Sequence, residues 1–399
     1  MAACIDAVLK LPAPARRLIF EAVPADTRLR CREVSRAWRD HLSDAALWRH
    51  LDLSNSSGVA AHVSDALLTA AAARAGGGLL SLNLYHERQR TMRDTRPNPK
   101  AEAISVRLSA LVRVLRGNAS LQRVRVNLLW LRKSEDPWEG WAPAYSHYVL
   151  DLAELCQLRD AAPAGASLEV GLDVMLADHE FRTEQDEEGG GRQLIPATCN
   201  GLLAALRREA PYTNVHIHTL STSYGFFRNH ADAPAAMRAL FGALGAHDAL
   251  QSLWLYQNHL DDAATLDALL KACGALPQLR KISLISMRMP RDVPTLLPVF
   301  TRLVAECSEL RKLEFVGGYY DEDPITGAED VAAFCDALRA SRHLETLEFR
   351  FGMISVSSTV EFKDVAAGAA VMAALRDVPS FKTLKINNVV HTFNSGGSA

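Results

Sequence analysis

The sequence predicts an α/β protein in which a small N-terminal helical module precedes a long array of strand–helix repeats. Two observations carry this prediction. From residue 48 onwards, short leucine-spaced segments recur and alternate with stretches that have helical apolar spacing. Residues 11–53 repeat nothing, and their prolines and apolar stripes indicate three short helices. We therefore expect a helical module over residues 1–47, a repeat array over 48–390 and a short tail over 391–399.

Composition narrows the class of protein. The chain has 399 residues, of which 48% are hydrophobic and 23% charged, and these fractions are typical of a globular protein. A net charge of -2 gives no general attraction to nucleic acid or to an anionic membrane, and no segment is long and apolar enough to cross a bilayer. We therefore expect neither nucleic acid nor a membrane as a partner. The seven cysteines are scattered and form no CxxC pair, which indicates reduced thiols and a cytoplasmic or nuclear location.

The repeat is clearest from Leu250 to Leu260, where the chain reads LxxLxLxxNxL. The same skeleton begins again at Leu79, Leu121, Tyr212, Leu279, Leu310, Leu344 and Phe381, with a shifted version at Val170, Leu172 and Val174. Helical spacing fills the intervals, and Ser64 and Asp262 stand where helix caps are expected. Alternate residues of a strand point to opposite faces, so the paired leucines are expected to face the helices.

Stacked units of this kind give a parallel sheet with helices on one side, because a single strand–helix unit cannot bury its own apolar face. The pattern resembles the ribonuclease-inhibitor-like class of leucine-rich repeats over roughly residues 48–390. That resemblance implies a horseshoe with parallel strands on the concave side and helices on the convex side.

The N-terminal module is predicted to contain three helices. Pro12 and Pro14 suit the first turn of helix one, and Pro24 ends it. Asp26 or Thr27 is expected to cap a second helix that runs through Leu42. Ser43 is expected to cap a short third helix that carries Leu47 and Trp48.

The module resembles an F-box. It supplies a Leu-Pro start, an aliphatic–aromatic pair near the end of helix one, a Val-x-Arg-x-Trp run (residues 34–38) and a closing Leu-Trp pair, although Pro14 stands where the family usually has an acidic residue. The resemblance implies docking on the Skp adaptor of a cullin-based SCF ubiquitin ligase. The residues it assigns to that interface, or to its support, are Leu11, Pro12, Ile19, Phe20, Val23, Val34 and Trp38. These residues could instead form only a local three-helix core.

Taken together, the two resemblances imply a non-catalytic substrate-recognition subunit of an SCF-type E3 ligase, which holds a protein target while other subunits transfer ubiquitin. A ligase-independent repeat scaffold or inhibitor, with the helices acting as a degenerate cap, is the alternative. A more distant third option is a repeat protein that activates GTP hydrolysis.

Target binding is expected on the outward strand face and on the loops at one rim. Trp254 and Tyr256 are large aromatics at outward positions, and His216 and His218 occupy outward positions of another strand. Trp138 and Trp141 lie in a long aromatic loop between strands. Aromatic residues are common at the energetic centre of interfaces, although packing beneath a neighbouring loop would explain Trp254 and Tyr256 equally well.

No motif of covalent chemistry is present in the sequence. The histidines His216 and His218 have a spacing that can bind metal, but no third ligand follows at a fixed distance. The glycines at 189–191 lack the Lys-Ser/Thr of a phosphate loop. We therefore expect no enzyme activity in this chain, no metal and no cofactor.

Overall fold

The computed structural model describes residues 8, 10–32, 36–54, 63–85, 104–127, 152–174, 200–223, 233–256, 260, 262–285, 297–316, 328–350, 365–386 and 389–393. The chain divides into two compact units. The first comprises Met1–Ser146 with Asp151–Gly171, and the second comprises His147–Leu150 with Leu172–Ala399. Both are mixed α/β units built on parallel strands.

Between Ala13 and His41, the described residues of the first unit form three short helices, and strand–helix repeats follow. Its helices are α1 (Ala13–Ala22), α2 (Ala25–Cys31), α3 (Arg36–His41), a 3-10 helix (Ala45–Trp48), α4 (Asp65–Arg74), α5 (Leu108–Arg116) and α6 (Leu152–Ala161). Its strands are β1 (His50–Asp52), β2 (Val63–Ser64), β3 (Ser81–Leu84), β4 (Ile104–Ser105), β5 (Arg123–Asn127) and, up to Gly171, β6 (Ser167–Val174). Strands β1, β3, β5 and β6 pair in that order, all parallel, and β2 pairs with β4.

The register of β6 corrects one expectation. Val124 of β5 lies opposite Leu168, and Val126 lies opposite Val170, so the repeat positions of β6 begin at Leu168 and not at Val170. The strand has eight residues, whereas β5 has five. Its apolar alternation therefore continues beyond the paired segment, and a pattern of period two fits more than one register.

The second unit repeats the same plan more regularly. After the helical residues 200–206, its elements are β7 (Val215–Ser223), α7 (Ala233–Gly245), β8 (Ser252–Tyr256), α8 (Ala263–Ala275), β9 (Lys281–Ile285), α9 (Leu297–Glu306), β10 (Lys312–Val316), α10 (Ala328–Ala340), β11 (Thr346–Arg350), α11 (Val365–Arg376), β12 (Thr383–Ile386) and β13 (Val389–Thr392). Strands β7 to β12 are parallel in chain order. The last strand, β13, pairs antiparallel with β12 and was not predicted.

The expected inward leucine positions form the core of the second unit. These side chains are at most 2% exposed: Leu253, Leu255, Ile282, Leu284, Leu313, Phe315, Leu347, Phe349, Leu384 and Ile386. The rings of Phe315 and Phe349 lie 5.3 and 5.2 Å from the ring of Phe300 on α9. The helices cover this face of the sheet, as the apolar spacing predicted, while the alternate strand positions point to the opposite face, called the outward face below.

Two helix caps are confirmed. The Ser64 hydroxyl accepts a hydrogen bond from the Leu67 amide at the start of α4, and the Asp262 carboxylate accepts one from the Thr265 amide at the start of α8. Both satisfy a backbone donor that the first turn of a helix leaves without a partner. Of the helices in the described residues, none is both long and apolar enough to span a bilayer.

Strand β7 departs from the predicted register. Thr219 and Leu220 lie opposite Ser252 and Leu253 of β8, so Leu220 and Thr222, not Val215 and Ile217, hold the repeat positions. The physical reason is that the residues of β7 before Thr219 lie outside the segment that pairs in register with β8. The Ile217 amide donates to a side chain, His247 Nε2, at 2.8 Å, and the ladder to β8 starts only afterwards.

Candidate functional site

The three N-terminal helices place the aromatic residues of the predicted interface in a small core. Phe20 on α1 is buried, and its ring meets Trp38 on α3 edge-on, with ring centroids 5.1 Å apart. Val23 is half-buried at the C-cap of α1. Phe20, Trp38 and Val23 therefore support the module from within, and Val34 lies outside the described residues.

The same module leaves apolar side chains of α1 and its approach in solvent. Leu11, Leu18 and Ile19 are 37%, 68% and 38% exposed. Pro12 is exposed at the N-cap of α1, with Pro14 in the first helical turn, as predicted. Large apolar side chains in water carry a free-energy cost that burial against a partner relieves. Leu18 was not singled out in the sequence, because helical spacing alone does not tell which face of a short helix is covered.

The helix boundaries of this module differ from the prediction at two caps. Helix α2 begins at Ala25, directly after Pro24, so the expected cap at Asp26 or Thr27 is wrong. The helix ends at Cys31 and α3 begins at Arg36. The interval of seven residues between Cys31 and Trp38 fits an unbroken helix equally well, so the apolar stripe could not reveal the break.

The 3-10 helix is capped by Asp44 and not by Ser43, because the Asp44 carboxylate accepts from the Ala46 amide at 2.9 Å. A buried arginine ties this helix to α2. The Arg28 guanidinium donates to the Leu47 carbonyl and lies 4.8 Å from the centroid of the Trp48 ring. Burial lowers the pKa of Arg28 from its ordinary value, and Glu21 opposes that shift.

In the second unit, the parallel register aligns the outward strand positions in rows that cross the sheet. One row contains Ser252, Lys281, Lys312, Thr346 and Thr383. The next contains Trp254, Ser283, Glu314, Glu348 and Lys385. Side chains in neighbouring strands of such rows lie directly beside one another, which is the arrangement that lets them interact.

Trp254 lies at the β8 end of the second row. Its indole Nε1 donates to the Ser252 hydroxyl at 2.9 Å, and the Lys281 ammonium lies 4.1 Å from its ring centroid. The side chain is on the outward face, as predicted, but only 9% exposed. It is therefore a packed, polar-anchored aromatic rather than a freely protruding one. Tyr256 ends β8, and its side chain lies outside the described residues.

Two carboxylates, Glu314 and Glu348, sit in the middle of the second row and are buried. The Lys312 ammonium lies 3.2 Å from a carboxylate oxygen of each. Glu314 also accepts a hydrogen bond from the Ser283 hydroxyl at 2.9 Å. Glu348 accepts from Arg350 Nε at 3.0 Å, and the Lys385 ammonium lies 3.6 Å from it.

The charges around Glu348 set its protonation. Burial by itself would raise the pKa of this carboxyl, but Lys312 and Arg350 outweigh burial and hold the pKa below its ordinary value. Glu348 is therefore an anion at neutral pH, surrounded by three cations. The sequence did not reveal this network, because register between strands of different repeats decides which charges meet.

The two predicted histidines lie apart from these rows. His216 is half-buried and His218 is buried, and both precede the segment of β7 that pairs in register with β8. The described residues contain no group of three or more His, Cys, Asp or Glu side chains placed to hold a metal ion. Trp138 and Trp141 lie outside the described residues.

Comparison with known proteins identifies one part of the chain. Residues 8–54 match the family model described as F-box-like, so the helical module is an F-box-like domain, followed by strand–helix units of mixed α/β type. Among solved structures, the one titled "Leiomodin-1 Actin-Binding Site 2 (ABS2)" is similar at a TM-score of 0.30 and 14% identity, over 44% of this chain and 86% of that chain. A likeness this weak carries no argument about function. Comparison with curated protein sequences gave no match.

Proposed function

We propose that this chain is a non-catalytic substrate-recognition subunit of an SCF-type E3 ubiquitin ligase. Its F-box-like domain docks a Skp adaptor and, through it, a cullin. Its strand–helix units are ribonuclease-inhibitor-like leucine-rich repeats that form a horseshoe and hold a protein target. The observation that carries the proposal is the exposed apolar set Leu11, Leu18 and Ile19 on an F-box-like domain.

The distribution of exposed apolar residues supports adaptor docking. Four large hydrophobic side chains are exposed among the described residues, and three of them, Leu11, Leu18 and Ile19, lie in the F-box-like domain. Phe20 and Trp38 already fill the small core of this domain, so the exposed residues are not needed there. An apolar face that the fold does not use is the kind of surface that a partner protein covers.

In this proposal, ubiquitin transfer is carried out by other subunits. The chain contributes proximity, because a target held on the repeats has a raised local concentration near the loaded ubiquitin carrier. We place this activity in the cytoplasm or nucleus. The free thiols of Cys31, Cys156, Cys273, Cys307 and Cys335 are in keeping with a reducing compartment.

The test is adaptor binding by the purified chain, measured by size exclusion with light scattering and by calorimetric titration. We expect a one-to-one complex with a recombinant Skp adaptor. Leu18→Asp with Ile19→Asp places two charges in the contact and should weaken binding by about 30-fold or more, since two apolar contacts contribute about 1 kcal/mol or more each.

The matched control is Val390→Asp, which changes an exposed apolar side chain in the second unit in the same way. It should leave adaptor binding unchanged. Absence of a complex at tens of micromolar would overturn the proposal and leave a ligase-independent repeat protein. Equal binding by wild type and the Leu18→Asp/Ile19→Asp variant would show that the adaptor does not use this face.

A further inference from the structure

We propose that the outward face of strands β8 to β12 binds an acidic peptide segment of the target. This inference rests on the proposed function, since it names the chemistry of the target on the repeats. The feature behind it is a layered arrangement of charge, in which carboxylates form the floor of the face and cations form its exposed surface.

The floor consists of Glu314 and Glu348, whose side chains are only 6% and 2% exposed. Above them, the side chains of Lys312, Arg350 and Lys385 are 28%, 32% and 38% exposed. A molecule that approaches this face therefore meets cations before it meets carboxylates. The buried carboxylates hold the cationic side chains in place. A long side chain that an ion pair already fixes loses less conformational entropy when it binds a second anion.

The cations keep binding capacity while they contact the floor. An ammonium group has three donors, and the Lys312 ammonium lies beside two carboxylates. A guanidinium has five donors, and Arg350 bonds Glu348 through Nε and one terminal nitrogen. Each of these groups can therefore donate to a further carboxylate or phosphate without releasing its present partner.

The edge where the strands begin adds more positive charge. Arg280 is exposed there, and Arg311 and Lys382 flank Glu345. Over the segments 251–256, 280–285, 311–316, 345–350 and 382–386, seven residues are cationic and three are acidic. The whole chain has a net charge of -2, so positive charge is concentrated on this sheet. Such a patch attracts anionic partners and guides their approach.

The interleaved acids favour a peptide over nucleic acid. A phosphate backbone requires a continuous positive track, and Glu345 lies between Arg311 and Lys382 on the exposed edge. The cations from Lys281 to Lys385 cross three inter-strand steps, which is about 14 Å. An extended peptide covers that distance with about four residues. We therefore expect a short acidic run as the binding element.

The test uses fluorescein-labelled hexaglutamate and hexaglutamine peptides, with fluorescence anisotropy at about 50 mM salt, where exposed charges are weakly screened. We expect wild type to bind hexaglutamate at least about tenfold more tightly than hexaglutamine, with affinity that falls as salt rises. A third peptide, with two phosphoserines in place of two glutamates, shows whether the face prefers phosphate or carboxylate groups. Tighter binding of either acidic peptide than of hexaglutamine supports the proposal.

Lys281→Gln with Lys385→Gln should weaken hexaglutamate binding by about fivefold or more while keeping Lys312 between the buried carboxylates. The matched control is Lys271→Gln with Arg339→Gln, which removes the same charge from exposed helix positions and should have no effect. Equal binding of hexaglutamine and both acidic peptides by wild type would overturn the inference. Tighter binding of a twelve-residue oligothymidylate than of either acidic peptide would overturn it in favour of nucleic acid.

Adaptor binding is measured on the same variants. A wild-type protein that binds the adaptor but does not prefer an acidic peptide to hexaglutamine overturns this inference alone. Loss of adaptor binding in a protein that prefers hexaglutamate overturns the proposed ligase role alone.

Discussion

His247 connects two backbone segments inside the second unit, and its removal is expected to destabilise the repeat array measurably. The side chain is 1% exposed. Its Nδ1 lies 2.9 Å from the Leu206 carbonyl oxygen, and its Nε2 accepts from the Ile217 amide at 2.8 Å. A carbonyl only accepts and an amide only donates, so the neutral ring must carry its proton on Nδ1.

The expected magnitude follows from the two backbone groups that lose their partner. In His247→Ala, the Leu206 carbonyl and the Ile217 amide both stay buried without a hydrogen bond. Each such group costs about 1–3 kcal/mol, so the free energy of unfolding should fall by about 2–6 kcal/mol. The variant His247→Asn should recover part of this loss. Asn118 holds the equivalent position in the first unit, where it accepts from the Leu79 amide and donates to the Val114 carbonyl.

The pH dependence has a definite sign. Burial lowers the pKa of His247 below its ordinary value of 6.5, although its hydrogen bond to Leu206 opposes the shift. The unfolded chain therefore binds a proton at a pH where the folded chain does not. The stability contributed by neutral His247 is complete above about pH 6.5 and is lost as pH falls toward the folded pKa. Arg208 and Asp248, the charged neighbours, act in opposite directions.

Urea denaturation followed by circular dichroism, at pH 7.5 and 5.5, measures both effects. Because a chain of two units need not unfold in one step, hydrogen exchange of the segment 215–223 should be measured as well. His343→Ala, at a partly exposed histidine, is the matched control and should change stability by less than about 0.5 kcal/mol. A loss below about 1 kcal/mol in His247→Ala, with unchanged exchange, would refute the bridging role.

Three further predictions concern the second unit. Phe300→Ala removes a buried ring that contacts phenylalanines of β10 and β11, and urea denaturation should show a loss of about 3–5 kcal/mol; a loss below 1 kcal/mol would mean that the core closes over the gap. Asp262→Ala removes the cap on the Thr265 amide and should cost about 0.5–2 kcal/mol, with Asp262→Asn much closer to wild type; equal melting of all three proteins would contradict the cap. The lowered pKa of Glu348 contributes stability that is present above about pH 4.5 and is lost as pH falls through the folded pKa. Glu348→Gln should therefore make the melting temperature depend less on pH between pH 5 and 3. An unchanged pH dependence would exclude Glu348 as the source of that stability.

Much of the architecture could be predicted from local pattern. The LxL leucines of β8 to β12, the helices between them and the caps at Ser64 and Asp262 all agree with the structure. The apolar pattern did not predict the register of two strands or the presence of a third. The long strands β6 and β7 fit several registers, and β13 was missed because a four-residue antiparallel strand follows β12 after only two residues and has no repeat of its own.

The surfaces were predicted less completely. Ile19 and Leu11 are exposed on the F-box-like domain, but Leu18, the most exposed of the three, was not identified. Trp254 lies on the outward face as expected, yet Ser252 and Lys281 enclose it. Exposure depends on what packs beside a side chain, and neighbours from another strand, such as Lys281, contribute to it.

The sequence by itself determined which side of each strand is apolar, where most helices lie and that residues 8–54 carry an F-box-like pattern, because these features depend on spacing within a few residues. Only the tertiary structure decided that Lys312 lies between Glu314 and Glu348, and that His247 bridges Leu206 and Ile217. The two histidine bonds span 30 and 41 positions, and the pair Lys312–Glu348 joins neighbouring strands of different repeats. Intervals of varying length between the strands set the register of such contacts. Local pattern contains no measure of that register, so the charge network and the buried histidine emerge only when the repeats are stacked.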